Sequence, residues 1–217
     1  MRELKTKEDF IKALKEVYTT LDKGFPVLGE GNPCGTCFYC CTIVYKLNVS
    51  KLEMDYIKEN VTAEDFKQFV EYVNQRKEPL LKEADVARFR CNFYDPKLQG
   101  CRIYPLRPYT CRVFGVMDTH RMPEFCVYYN PEGEIPVDEL YDKVPALKDY
   151  RELIFRYDLF TAGSKEEAVN AQFKLAEELF AQMRNVESLQ EFKKVLLLAP
   201  KHKEALEFIE LLKNYES

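Results

Sequence analysis

The sequence predicts an α+β fold, predominantly helical, with a small cysteine-rich core, a short β-hairpin and a C-terminal helical appendage. Three observations lead there. Apolar residues recur at helical spacing over most of the chain. All eight cysteines fall within residues 34–126 of a chain of 217. Beyond residue 164 the helical pattern changes and no cysteine occurs. The expected organisation is a cysteine-cluster domain over 1–130, a linker and connecting helix over 131–163, and a helical segment over 164–217.

Taken in order, Thr6-Lys-Glu-Asp9 is a cap-like opening to an amphipathic helix. Phe10, Ile11, Leu14, Val17, Tyr18 and Leu21 share its apolar face, and Gly24 ends it. The run Pro33-Cys34-Gly35-Thr36-Cys37-Phe38-Tyr39-Cys40-Cys41 follows, four thiols in eight positions. Small, oxidisable side chains make a poor core, but a tight C-x-x-C loop presents soft ligands together, with Pro33 and Gly35 giving bend and slack. Adjacent side chains diverge, so Cys40 and Cys41 do not serve one ion in the same way. One of them points to a second metal, a second face of a cluster, or the core.

A strand-like run, Thr42–Leu47, comes next, and then Ser50-Lys-Leu-Glu53, a capping box that starts a helix through Met54 and Ile57. Thr62-Ala-Glu-Asp65 opens another, with Phe66, Phe69, Val70 and Val73 as its buried stripe. The stretch from Pro79 to Arg88 reads as helical. Cys91-Asn-Phe-Tyr94, a Pro/Gly turn and Cys101-Arg-Ile-Tyr104 read as a hairpin with a cysteine at the start of each arm. Pro108 then stands near the N-terminus of a short helix carrying Cys111, and Cys126 lies beyond a loop with Pro123.

Composition narrows the chemistry. A net charge of −4 gives no electrostatic footprint for nucleic acid. The N-terminus lacks a signal-peptide stretch and no apolar run approaches a membrane span, so no membrane is expected and the protein is placed in the cytoplasm. Thiols stay reduced there, and clustered cysteines mean metal or redox chemistry more often than disulfides. Two histidines, His120 and His202, give little basis for histidine acid–base chemistry, and no catalytic residues are identifiable.

The segments P-C-G-T-C-F-Y-C-C, C-N-F-Y and G-C-R-I-Y-P-L-R-P-Y-T-C-R-V-F, with the final Cys126, resemble the C-x-x-C-x-x-C-C cysteine-cluster family. That family is labelled YkgJ-type and described as zinc- or iron-chelating; the resemblance spans about residues 30–130. It implies metal binding by Cys34, Cys37, Cys40, Cys41, Cys91, Cys101, Cys111 and Cys126. Arg107 and Arg112 flank Cys111 and match family positions, as does Tyr104, which is either an outer partner of the ligands or a packing residue. Arg88, Arg90, Arg102 and Arg121 add to a basic stretch whose own acids are only Asp95 and Asp118. Guanidiniums of this kind offset an anionic thiolate centre and donate hydrogen bonds to sulfur. His120 is a further candidate ligand.

After the Pro/Gly-marked connection over 129–136, a helix is expected around Ala146–Phe160. Leu175, Ala176 and Leu179, a turn near Asn185, then Ser188, Phe192, Val195 and Pro200 fall at tetratricopeptide-repeat (TPR) spacing. One such unit does not bury its own face, so a protein partner or the rest of the chain is expected to cover it. Three function classes follow, of which a disulfide-bearing domain is disfavoured by the missing signal peptide. The first is an iron–sulfur protein, with a [4Fe–4S] cluster on the C-x-x-C-x-x-C spacing and a redox, electron-transfer or sensing role, including oxidoreductase activity. The second is a zinc protein whose thiolate sites hold a fold that presents the C-terminal helices to a partner.

Overall fold

A computed structural model describes residues 4–24, 47–75, 91–95, 97–98, 100–117 and 136–215. Its described residues contain helices α1 (Lys7–Gly24), α2 (Lys51–Asn60) and α3 (Ala63–Gln75), a hairpin of β1 (Tyr94–Asp95) and β2 (Gly100–Cys101), and helix α4 (Tyr109–Met117). They continue with α5 (Val137–Lys143), α6 (Ala146–Phe160), α7 (Lys165–Ala181), α8 (Asn185–Leu198) and α9 (Lys203–Leu212). The predominantly helical α+β class expected from the sequence is therefore the class observed. The strand-like run over 42–46, the helix over 79–88 and the connection over 129–135 lie outside the described residues.

The chain divides into two units, Met1–Val17 with Ala146–Ser217, and Tyr18–Pro145. In the first, α7, α8 and α9 close around Ala176, Leu189, Phe192, Val195, Ala205 and Leu212. Phe192 and Phe208 stack at 4.6 Å, and Phe173 meets Phe192 edge-on at 5.5 Å. Such ring pairs add about 0.5–1.5 kcal/mol each beyond their buried area. Two of the buried polar groups pair within it: Ser188 donates to the Ala176 carbonyl, and the Gln172 amide to Glu191. His202 Nδ1 accepts from the Ala205 N–H and caps α9, with its ring 4.8 Å from Phe173. At the other end of the chain, Phe10 packs on Tyr157 and Phe160, with ring centroids 5.1 and 5.2 Å away.

The second unit is built by caps. Ser50 and Glu53 make the reciprocal box expected of them. Thr62 Oγ1 accepts from the Asp65 N–H and opens α3. The core gathers Leu47, Ile57, Phe69, Val73 and Phe93. Gly24 ends α1 as expected, and its missing side chain serves packing: a Cβ there would stand 3.0 Å from Val144 Cγ1. Helix α5 is an element the sequence reading passed over inside its linker. Pro136, with φ of −52°, sets its entry, and Lys143 pairs with Glu139 one turn back. No helix among the described residues is long and apolar enough to cross a membrane.

Candidate metal centre

The segment Arg107–Arg112 is anchored almost residue by residue. Arg107 Nη2 donates to Asp22 Oδ1 at 3.2 Å, and its guanidinium lies 3.7 Å over the Tyr104 ring. Pro108 leaves its carbonyl to the Arg112 N–H at 3.1 Å, beginning α4. The Tyr109 N–H, which a helix N-terminus leaves without an internal partner, donates to Glu53 Oε1 at 2.5 Å. Thr110 Oγ1 donates to the Asn48 carbonyl at 2.6 Å. Arg112 spends its donors on the Arg107 carbonyl (3.0 Å), the Pro105 carbonyl (2.6 Å) and Asp22 Oδ2 (2.5 Å). Its guanidinium stacks 3.8 Å over the Tyr18 ring.

Both arginines are buried, and the carboxylate between them is two-fifths exposed. Asp22 thus joins α1 to the turn and helix that carry Cys111. Glu53 makes the second join. Fully buried, it accepts from the Tyr18 hydroxyl (2.5 Å), the Ser50 N–H (2.8 Å) and the Ser50 hydroxyl (2.9 Å), as well as from Tyr109. Burial holds the neighbouring Tyr56 phenol above its ordinary pKa, opposed by the Arg112 guanidinium, so the phenol stays neutral. Asp22 and Glu53 were not singled out from the sequence as site residues. The capping box was the one signal that could have drawn attention to Glu53.

The hairpin and the residues leading into it supply the other two described thiols, Cys91 and Cys101. Tyr94 pairs with Cys101 and Asp95 with Gly100. Asp95 Oδ1 accepts from the Lys97 N–H at 2.7 Å, which closes the turn. The Tyr94 N–H donates to the Cys91 carbonyl and the Arg102 N–H to the Phe93 carbonyl. Arg102 reaches the Asn92 carbonyl and Asp65, so its counter-charge, like that of Arg107 and Arg112, comes from outside the basic stretch.

Cys91, Cys101 and Cys111 are half-buried, and all three pack against the cluster of Leu47, Ile57, Phe69, Val73 and Phe93. Thiols from the residue leading into the hairpin, from a strand and from a helix therefore each pack on one apolar cluster. Cys34, Cys37, Cys40, Cys41 and Cys126, with His120, Arg88, Arg90 and Arg121, lie outside the described residues. Among the described residues no three of His, Cys, Asp and Glu form a metal-holding group. Residues 33–127 match the family model CxxCxxCC, described as a putative zinc- or iron-chelating domain. No curated protein and no solved structure matches the chain.

The donor chemistry of the CxxCxxCC segment fits that description. Thiolates are soft ligands suited to zinc and to iron–sulfur clusters, whereas calcium or magnesium would need an oxygen cage. Next to Cys91, both polar atoms of the Asn92 side chain are withdrawn from solvent and, among the described residues, have no hydrogen-bond partner.

Proposed function

We propose that the CxxCxxCC domain holds an iron–sulfur cluster, of the [4Fe–4S] type, in a cytoplasmic protein with a redox, electron-transfer or sensing role. Its ligands come from Cys34, Cys37, Cys40, Cys41, Cys91, Cys101, Cys111 and Cys126. The observation that supports the reading is that Cys91, Cys101 and Cys111, from three different elements, all pack on one apolar cluster within the matched segment. Arg107, Arg112 and Tyr104 act as positioning residues: they fix the turn and the helix start from which Cys111 projects. A thiolate-bound iron–sulfur cluster supplies one-electron transfer at a potential tuned by charge, hydrogen bonds and exposure.

A second reading has Zn2+ on the same thiolates as a structural cross-link, with the C-terminal helices as a TPR-like module for a protein partner. Leu197, Leu206 and Leu211, exposed on α8 and α9, favour it. Iron, zinc and acid-labile sulfide are to be measured on the full chain purified without oxygen, together with its visible spectrum. A brown sample with sulfide supports the cluster, and a colourless one with stoichiometric zinc supports the cross-link. Absence of both metals overturns both readings. Cys111→Ser should lose the metal while far-ultraviolet circular dichroism stays helical. If it binds as tightly as the parent, Cys111 is a packing thiol and the ligand set shrinks.

A further inference from the structure

We propose that Asp22 and Thr110 are positioning residues of the metal centre: they pin the segment carrying Cys111 to both ends of the stretch that contains Cys34, Cys37, Cys40 and Cys41. This role rests on the metal-binding reading and adds two residues to it. The stretch leaves the described chain at Gly24 and rejoins it at Leu47. On the entry side, Asp22 accepts from Arg107 Nη2 at 3.2 Å and from Arg112 Nη1 at 2.5 Å. On the exit side, Thr110 Oγ1 donates to the Asn48 carbonyl at 2.6 Å, and the Tyr109 N–H donates to Glu53 Oε1 at 2.5 Å. All of these contacts land within Arg107–Arg112, and none of them passes through a thiol. Arg112 also binds the Arg107 and Pro105 carbonyls, so the turn that receives the pins is itself braced.

Along the chain Cys34 stands 77 residues before Cys111, and Cys41 stands 70 before it. The Asp22–Arg112 pair replaces the first connection by the 12 residues from Asp22 to Cys34 and one more from Arg112 to Cys111. The Thr110–Asn48 bond replaces the second by the 7 residues from Cys41 to Asn48 and one more from Thr110 to Cys111. A loop shorter by about five- to ten-fold closes about 10- to 30-fold more readily. Ordering done by the protein's own contacts is ordering the metal does not have to do, and the gain is read as affinity.

The test uses the full chain carrying its metal, compared with Asp22→Asn, Asp22→Glu and Thr110→Val. Thr62→Ala, which removes the cap of α3 in the same unit and touches neither pin, is the stability control. Asp22→Asn and Thr110→Val should each give up their metal to a competing chelator about 10-fold more readily, and the double variant more so than either. Asp22→Glu keeps the charge and should recover part of the loss, while Thr62→Ala should hold metal like the parent. In the chain stripped of metal, the Arg112 amide, bonded to the Pro108 carbonyl at 3.1 Å, should be protected from hydrogen exchange in the parent and less so in Asp22→Asn. The proposal is overturned if Asp22→Asn and Thr110→Val hold metal as tightly as the parent, if Thr62→Ala loses it as readily as they do, or if the Arg112 amide is unprotected in the stripped parent. It falls with the metal-binding reading if the parent itself holds neither iron nor zinc.

Discussion

Replacing Glu53 with glutamine probes the join on which Cys111 depends. Oε1 of Glu53 serves the Tyr18 hydroxyl and the Tyr109 N–H, while Oε2 serves the Ser50 N–H and hydroxyl. A carboxamide keeps one of these two acceptors. The hydroxyls of Tyr18 and Ser50 can turn and accept from the new NH2, but a main-chain N–H cannot. One backbone donor is then orphaned, at about 1–3 kcal/mol, and the surviving bonds lose their charge assistance. Together these give about 2–4 kcal/mol for Glu53→Gln, against about 1–2 kcal/mol for Ser50→Ala, which removes the helix cap and one hydroxyl donor but orphans no backbone N–H on another element. Chemical denaturation of the metal-stripped chain, followed by circular dichroism, measures the difference. Hydrogen exchange at the Tyr109 amide locates it. Equal losses for the two variants, with Tyr109 protection unchanged, would mean that Glu53 serves only its own helix.

Asp22→Asn leaves two buried guanidiniums sharing one neutral acceptor. Removing a partner from a buried pair costs about 3–5 kcal/mol, and the partial exposure of Asp22 brings the expected loss to about 1–3 kcal/mol. A loss under about 0.5 kcal/mol in denaturant would show that the two arginines do not need it. In the other unit, the Arg184 hydrogen bond holds the Glu187 carboxyl below its ordinary value of 4.5. A depressed carboxyl stabilises the fold above its unfolded pKa, and that contribution fades as pH falls through the folded one. The parent should therefore exceed Glu187→Gln slightly in melting temperature at pH about 7, and the gap should close as the pH falls from the ordinary carboxylate value through the depressed one. A gap that survives into acid assigns the effect to something other than this ion pair.

Local structure was legible wherever the physics is local. The caps at Thr6, Ser50 and Thr62 announce α1, α2 and α3, because each is a contact over three residues that any chain with those side chains can make. The Pro/Gly turn between Cys91 and Cys101 announced the hairpin for the same reason, and α6 was read to its end residues. The joins around Cys111 were not legible. Asp22 lies 85 and 90 residues from its two arginines, and Glu53 lies 56 from Tyr109, distances over which a lone sequence carries no pairing signal. The basic stretch illustrates the result. Read alone, it is short of counter-ions, with only Asp95 and Asp118, and invites an anionic ligand; folded, Asp22 and Asp65 supply carboxylates. Helix α5 escaped for a different reason, since seven residues after a proline are too few to display a period.

The two units also differ in how the chain delivers them. Tyr18–Pro145 is one uninterrupted stretch, whereas the other unit needs Met1–Val17 together with Ala146–Ser217. On the ribosome, where domains fold as they emerge, the cysteine-bearing stretch is complete before Phe10 can meet Tyr157. Metal insertion can therefore precede the closing of the helical unit, and the first turns of α1 wait for the rest of synthesis to find their packing partners. A truncation after residue 145 should then still reach the metal-loaded state during translation, while its N-terminal apolar face, Phe10 included, stays open to chaperones.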